Sequence, residues 1–510
     1  MDKVYILDFG SQYTQLIARK IRELGVYSEI FPYNLAISRL KKEKPTAIVL
    51  SGGPQSVYDE EAPLPSPQLF ELGIPILGIC YGLQLMSYLM GGKVEPSQKR
   101  EYGFATLEIR RRKGLLTGLR NHGQVWMSHG DKVQEIPSGF EVTGITDNCK
   151  IAVIEDHQRR FFGVQFHPEV IHTKQGLMVL SNFIFAQAGI TADWSMGSFI
   201  DRKVAEVRKA VGRGKVICGL SGGVDSLVAS LIIHKAVKDR LICIFVDNGL
   251  LRKGQYQGLM DTFRSHFSLN VVGVDATELF LEKLLRVRSP ERKRKIIGGE
   301  FIRIFEQEAA KVGGADFLAQ GTIYPDVIES NPVKGPSSII KSHHNVGGLP
   351  KGLKFKLLEP LRELFKDEVR ALGLELGVDK GFIYQHPFPG PGLAVRIVGE
   401  VTRERLRIIR DADDIILQEI KKAGVYDSLW QAFAVLLPVR SVGVMGDKRT
   451  YQRVVVVRLV QSVDGMTANW FEAEAALLYR ISSRIVNEVQ GVNRVVYDIT
   501  SKPPGTIEWE

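Results

Sequence analysis

The chain reads as an α/β protein: two doubly wound parallel-sheet domains followed by a small α+β domain. Three observations predict this. Short apolar runs at residues 4–8, 47–51 and 75–80 alternate with helical stretches, as buried parallel strands do. The same texture restarts at residues 216–220, 241–247, 271–275 and 317–320. It then breaks at His386-Pro387-Phe388-Pro389-Gly390-Pro391-Gly392, a string that suits neither a helix nor a central strand. The expected domains are residues 1–191, 192–385 and 386–510.

Within the first domain, residues 151–154 and 161–166 read as late strands and residues 182–188 as a closing helix. Ala192-Asp193-Trp194-Ser195 reads as a linker. The second domain begins near Lys215, and on such a sheet ligands sit beyond the carboxyl ends of the strands. Ser221 and Asp247 both lie at such ends. In the third domain, residues 453–460 are expected as a strand, 469–489 as a helix and 494–499 as a further strand. Val454 to Val457 in a row call for cover on both faces, which a twofold interface would supply.

The 510 residues suffice for two to four domains with their own cores. A hydrophobic fraction of 44% and a charged fraction of 24% are ordinary for a soluble protein. The net charge of +10 suits polyanionic small substrates. No recognition helix, zinc ligand set or aromatic-basic stripe points to nucleic acid. Cys80, Cys149, Cys218 and Cys243 are far apart, which indicates neither a disulfide framework nor a zinc site. No basic leader opens the chain and no apolar run is long enough for a bilayer, so a cytoplasmic protein with no membrane partner is expected.

Two constellations carry chemistry. The first is Gly78-Ile79-Cys80-Tyr81-Gly82, between a buried strand and a helical run. This is a nucleophile elbow with cysteine in the reactive place, where the helix N-terminus favours thiolate. Its base would be His167 of Phe166-His167-Pro168-Glu169, with Glu169 holding the imidazole. The Gly53 N–H, from Ser51-Gly52-Gly53-Pro54, and the Tyr81 N–H are assigned as oxyanion donors.

The second is Ser221-Gly222-Gly223-Val224-Asp225-Ser226, between a strand and a helix. Adjacent glycines let several N–H groups converge on one anion, as a pyrophosphate needs. The lysine-bearing nucleotide loop is absent. Gly222, Gly223 and Val224 would donate from the backbone, Ser221 and Ser226 from hydroxyls. Asp225 is read either as a Mg²⁺ ligand or as a helix cap. The Val246 backbone would meet adenine. Residues 286–295 are densely basic, and Arg294 is the favoured substrate contact. Lys341-Ser342-His343-His344-Asn345-Val346-Gly347-Gly348 is read as a lid, with Lys341 facing the triphosphate.

The first constellation resembles the class I glutamine amidotransferases, and the second the ATP pyrophosphatases, whose synthetase domains are adenine nucleotide alpha-hydrolase-like. Together with the lid string, the proline-rich string and the closing Lys502-Pro503-Pro504-Gly505-Thr506-Ile507-Glu508-Trp509-Glu510, the whole chain is similar to the glutamine-hydrolysing GMP synthases. The resemblance implies glutamine, ATP and xanthosine 5′-monophosphate (XMP) as substrates, Mg²⁺ with the ATP, and a homodimer formed through the C-terminal domain. It implies XMP contacts at Arg494 and Lys502 for the phosphate, at Ile507 and Glu508 for ribose or base, and at Gln431. Rival readings are glutamine-dependent NAD synthetase, a tRNA thiolase, and a glutamine-binding module without turnover. The intact Cys80, His167 and Glu169 argue against the last of these.

Overall fold

The computed structural model describes residues 2–311, 314–330, 355–445, 448–462, 465 and 467–510. These divide into two compact units, one within Met1–Phe199 and the other within Ile200–Ser330 and Lys341–Glu510. Lys341 and the rest of the expected lid lie outside the described residues.

The first unit is built on a nine-stranded sheet. Its strands are β1 (Lys3–Asp8), β2 (Tyr27–Pro32), β3 (Ala47–Leu50), β4 (Ile76–Ile79), β5 (Lys93–Ile109), β6 (Gly123–Glu135), β7 (Glu141–Ile145), β8 (Val153–Asp156) and β9 (Phe161–Val164). Their order is β2-β1-β3-β4-β9-β8-β7-β5-β6. The half up to β9 is parallel, as its unbroken apolar runs predict. From β9 onward the ladder is antiparallel. The long β5–β6 hairpin was not foreseen. Its strands are half exposed and charged, so they lack the apolar runs of the parallel half.

The parallel half matters for chemistry. β3, β4 and β9 are neighbours, so the turns after them open on one sheet edge. Those turns carry Gly53, Cys80 and His167.

The second unit opens with β10 (Val216–Leu220), β11 (Leu241–Asp247), β12 (Val271–Asp275), β13 (Phe317–Ala319) and β14 (Lys356–Leu358). All pair in parallel, in the order β12-β11-β10-β13-β14. The chain leaves β10 first to one side and later to the other. The end of β10 is therefore the topological switch point, where such sheets bind ligands. Ser221 follows it directly.

The remaining sheet holds β15 (Gln431–Met445), β16 (Lys448–Gln461), β17 (Asn469–Trp470) and β18 (Val492–Tyr497). Here the structure corrects two expectations. The helix begins at Ala475, not at 469, because Asn469 and Trp470 pair with the edge of β16. The last strand runs two residues earlier than expected, and an Asp498 turn that accepts from the Thr500 N–H ends it.

Val454 to Val457 are buried on both faces by their own chain. Val455 and Val457 join a core with Ile409, Ile416, Ile481 and Ile485. Val456 packs with Phe433 and Val435, and Ile507 of the C-terminal tail lies against that cluster. A twofold interface is thus not needed to cover these valines. The larger core also takes in Ile244, Val246 and Leu250, so the sheets on either side of residue 386 share one apolar interior.

Candidate functional site

The elbow forms because β4 must turn sharply into the helix Tyr81–Leu89. Cys80 sits at the turn with φ 51° and ψ −105°, a conformation that a non-glycine residue holds only when its surroundings force it. A hydrogen bond from its N–H to Val164 O, 2.8 Å, ties the turn to β9. Gly82 is required by close approach: a Cβ there would meet Leu50 O at 2.3 Å.

His167 and Glu169 are buried beside it. His167 Nδ1 lies 2.7 Å from Glu169 Oε1, which leaves the other ring nitrogen for Cys80. Burial by itself lowers the His167 pKa. The Glu169 carboxylate and Cys80 outweigh it and hold the ring well above its ordinary value. The ring is placed by its own backbone, since His167 N–H donates to Trp126 O at 3.0 Å and His167 O accepts from the Thr173 hydroxyl at 2.6 Å.

Gly53 is packed against Phe9 and the ring of Tyr81, the residue after Cys80. Among the described residues neither the Gly53 nor the Tyr81 N–H donates to a protein acceptor. Two free donors, a thiol and a carboxylate-held imidazole thus meet at one edge, which is an equipment for acyl transfer through a thioester. Sequence reasoning missed Gln84. It lies one helical turn past Cys80, and its amide donates to Asp131 O at 2.9 Å. The i, i+4 spacing was the available signal.

The second centre is the 221–226 loop, which leads into the helix Val224–Val237. Gly222 has φ +77°, the left-handed bend that glycine allows. Ser226 folds back on the loop: its hydroxyl donates to Gly223 O at 3.0 Å and accepts from the Ser221 N–H at 3.2 Å. The helix cap is Gly223, with no side-chain capping bond, so Asp225 is not the cap. Both Asp225 oxygens instead lie 2.6 Å from Lys366 Nζ. Lys366, 141 residues away, left no local signal. Val246 lies one residue past the last β10 partner on β11, its side chain in the core.

The C-terminal tail is docked, and it gathers several predicted residues. Gln431 donates to Glu508 Oε1 at 2.6 Å, and Arg396, fully buried, donates to both Glu508 oxygens. Arg458, also buried, donates to the carbonyls of Thr500, Thr506 and Ile507. Lys502 donates to Gly465 O at 2.8 Å. Arg294 is taken by the chain terminus, where it bonds Glu510 O, and its neighbour Lys293 bonds the Glu510 side chain.

Arg494 stands apart. It pairs with Val454 on β16, six residues from the Val460 that faces Gln431, or about 20 Å along the strand. Within one chain it does not join Gln431 and Glu508. The segment at 385–387 bridges the other parts: Gln385 donates to Gly222 O at 3.1 Å, and Pro387 O accepts from Gln431 at 3.0 Å. The 221–226 loop and the Gln431–Glu508 pair are therefore linked through the short stretch 385–387.

Residues 5–187 match the family described as glutamine amidotransferase class-I, and residues 418–509 match the GMP synthase C terminal domain. A glutamine-hydrolysing GMP synthase of Brachyspira hyodysenteriae is 57% identical over 510 residues, covering 100% of this chain and 99% of that protein. The chain belongs to the glutamine-hydrolysing GMP synthase family. The corresponding protein of Phenylobacterium zucineum is 58% identical over 513 residues, with 100% of this chain and 99% of that one covered. Among solved structures, a putative GMP synthase subunit from Thermoplasma acidophilum is similar, with 30% identity over 37% of this chain and 95% of that one, and a TM-score of 0.35. The relatives support the family's purine reading and not the NAD synthetase alternative. Among the described residues no helix is long and apolar enough to cross a membrane.

Proposed function

We propose that the chain makes GMP from XMP, ATP and glutamine, with the chemistry split between its two units. The observation that carries this is the coexistence, in a member of this family, of a cysteine elbow with its buried His–Glu pair and a pyrophosphate-shaped loop at a sheet switch point.

In the first unit the Cys80 thiolate attacks the glutamine side-chain carbonyl. The Gly53 and Tyr81 N–H groups receive the oxyanion. His167, protonated, gives its proton to the departing ammonia and a thioester remains. The ring then takes a proton from water as the thioester is hydrolysed to glutamate. Glu169 keeps the imidazolium favourable throughout.

In the second unit the 221–226 loop holds the β- and γ-phosphates of ATP through its backbone donors, and the Val246 backbone, near the end of β11, would read adenine. The oxygen on purine carbon 2 of XMP attacks the α-phosphate. Pyrophosphate leaves, and ammonia displaces AMP. Mg²⁺ bound with the triphosphate would neutralise charge on the leaving pyrophosphate. Asp225 is the hard oxygen donor at the loop that suits it, though Lys366 already pairs with it. Among the described residues no group of three His, Cys, Asp or Glu side chains forms a metal cage. A magnesium held mainly by substrate phosphates fits that arrangement. Gln431, Ile507 and Glu508, joined to the loop through residues 385–387, are the XMP contacts we favour, with Lys502 for its phosphate. Arg294 serves them indirectly, by anchoring the tail.

The test is a product analysis. With ATP labelled in the adenine, glutamine and XMP, the expected products are labelled AMP, pyrophosphate and GMP in equal amounts, and a nicotinate dinucleotide acceptor gives no amide. Release of labelled ADP, or amidation of the dinucleotide, would end the assignment.

We further infer that two copies pair through the third sheet. Val442, Val444 and Tyr451 stand exposed on one end of the β15–β16 hairpin, at 53%, 71% and 58% exposure. An isologous pairing covers them. Sedimentation of the full chain should give a dimer, and Val444→Glu should give a monomer. A parent chain that sediments as a monomer at micromolar concentration contradicts this.

A further inference from the structure

Asp131 is used by neither constellation, yet it bonds to both sides of the first one. It lies on β6 beside an irregularity in the hairpin, where the ladder slips between the pairs Pro96↔Asp131 and Glu101↔His129. Its carbonyl accepts from Gln84 Nε2 at 2.9 Å and from His129 Nδ1 at 2.9 Å. Gln84 is fixed to the elbow in turn, its N–H donating to Cys80 O at 3.1 Å. The Asp131 carboxylate reaches the other way. It accepts from Tyr58 Oη at 2.9 Å and from the Ser56 hydroxyl. Ser56 is three residues after Gly53. Nearby, Ser128 O lies 3.6 Å from Cys80 Sγ.

We propose that Asp131 is a positioning residue: it clamps the loop that carries the Gly53 donor to the helix that carries Cys80. The inference rests on the roles given above to those two residues. Residues 54–59 form turns rather than a ladder, so β-pairing does not set where Gly53 points. An oxyanion donor must be held to a fraction of an ångström to act on a transition state. Two bonds to an ionised carboxylate, each stronger than a neutral pair, supply that restraint.

The experiment uses the full chain with Asp131→Ala, Asp131→Asn and the double change Ser56→Ala with Tyr58→Phe. The expected result for Asp131→Ala is a fall in kcat with glutamine of roughly tenfold to a hundredfold, with KM for glutamine within about twofold. Asp131→Asn keeps one acceptor and should fall between it and the parent. The double change should reproduce Asp131→Ala, because it removes the donors and leaves β6 intact. Alkylation of Cys80 by iodoacetamide forms no oxyanion, so its rate should stay at the parental value, as should synthesis from ammonia. An unchanged kcat in Asp131→Ala overturns the proposal. So does an alkylation rate that falls in step with kcat, which would mean that Asp131 only holds the unit together. If Cys80→Ala still hydrolysed glutamine, the reading of the site itself would fail, independently of the Asp131 result.

Discussion

Cys80→Ala removes glutamine-dependent GMP formation by about a thousandfold or more, while the same variant still forms GMP from ammonium salts at close to the parental rate. The size of the first effect follows from covalent catalysis: without sulfur there is no thioester, and an imidazole with water in its place is a poor substitute. Survival of the second follows from where the parts lie. Cys80, His167 and Glu169 belong to the sheet of the first unit, and the 221–226 loop to that of the second. Ammonia supplied at high pH bypasses the first step, because neutral ammonia and not ammonium is the nucleophile. Steady-state rates with each nitrogen donor decide the matter. Loss of both activities in a folded variant would show that the two centres do not work separately.

The same variant reports on the imidazole. Burial pushes the His167 pKa down, and Glu169 and Cys80 push it up. With the thiol gone one raising influence disappears, so the His167 titration should move down toward the ordinary histidine value, visible by NMR. The sign also fixes a stability effect. A histidine raised in the folded state adds stability that is fully present below its unfolded pKa and is lost as pH rises through the folded value. The variant should therefore lose that contribution at lower pH than the parent does.

What could be read from the sequence was what is local. A strand, a sharp turn and a helix lie within a dozen residues at Cys80 and again at Ser221, and the residues there are set by backbone geometry: Gly82 under Leu50 O, Gly222 at positive φ. The apolar runs of the parallel strands are equally local. The hairpin β5–β6 hid because exposed antiparallel strands need only alternate, and its charged residues mask the period. The start of the helix at Ala475 hid because the backbone pairing of Asn469 and Trp470 with β16 outranks the helix propensity of the residues after them. The docked tail was foreseen only in outline. Its holders, Arg396 and Arg458, are buried arginines whose partners lie 112 and about 48 residues away. Arg294 was legible as a basic residue, but its bond to Glu510 O, 216 residues further along the chain, left no local signal.

Lys366→Met lowers kcat/KM for ATP by about a hundredfold or more in ammonia-dependent synthesis, and glutamine-dependent synthesis falls with it, while Cys80 alkylation is untouched. The loop at 221–226 offers backbone N–H groups, which carry partial charges only. A departing pyrophosphate gathers several full negative charges, and the described full cation against the loop is Lys366, 2.6 Å from both oxygens of Asp225. Without it the loop also keeps an uncompensated carboxylate beside the phosphates, so the loss exceeds that of one hydrogen bond. This second contribution can be isolated. In the double variant Lys366→Met with Asp225→Asn the carboxylate is neutralised, and part of the lost affinity for ATP should return, unless Asp225 is itself a magnesium ligand. In that case the single Asp225→Asn change raises the Mg²⁺ concentration needed for half-maximal rate, and the double variant is worse than either single one. Kinetics of the three variants across a magnesium titration separate the two roles. A Lys366→Met protein with parental kcat/KM for ATP would remove the lysine from the mechanism and leave the loop to act on its backbone alone.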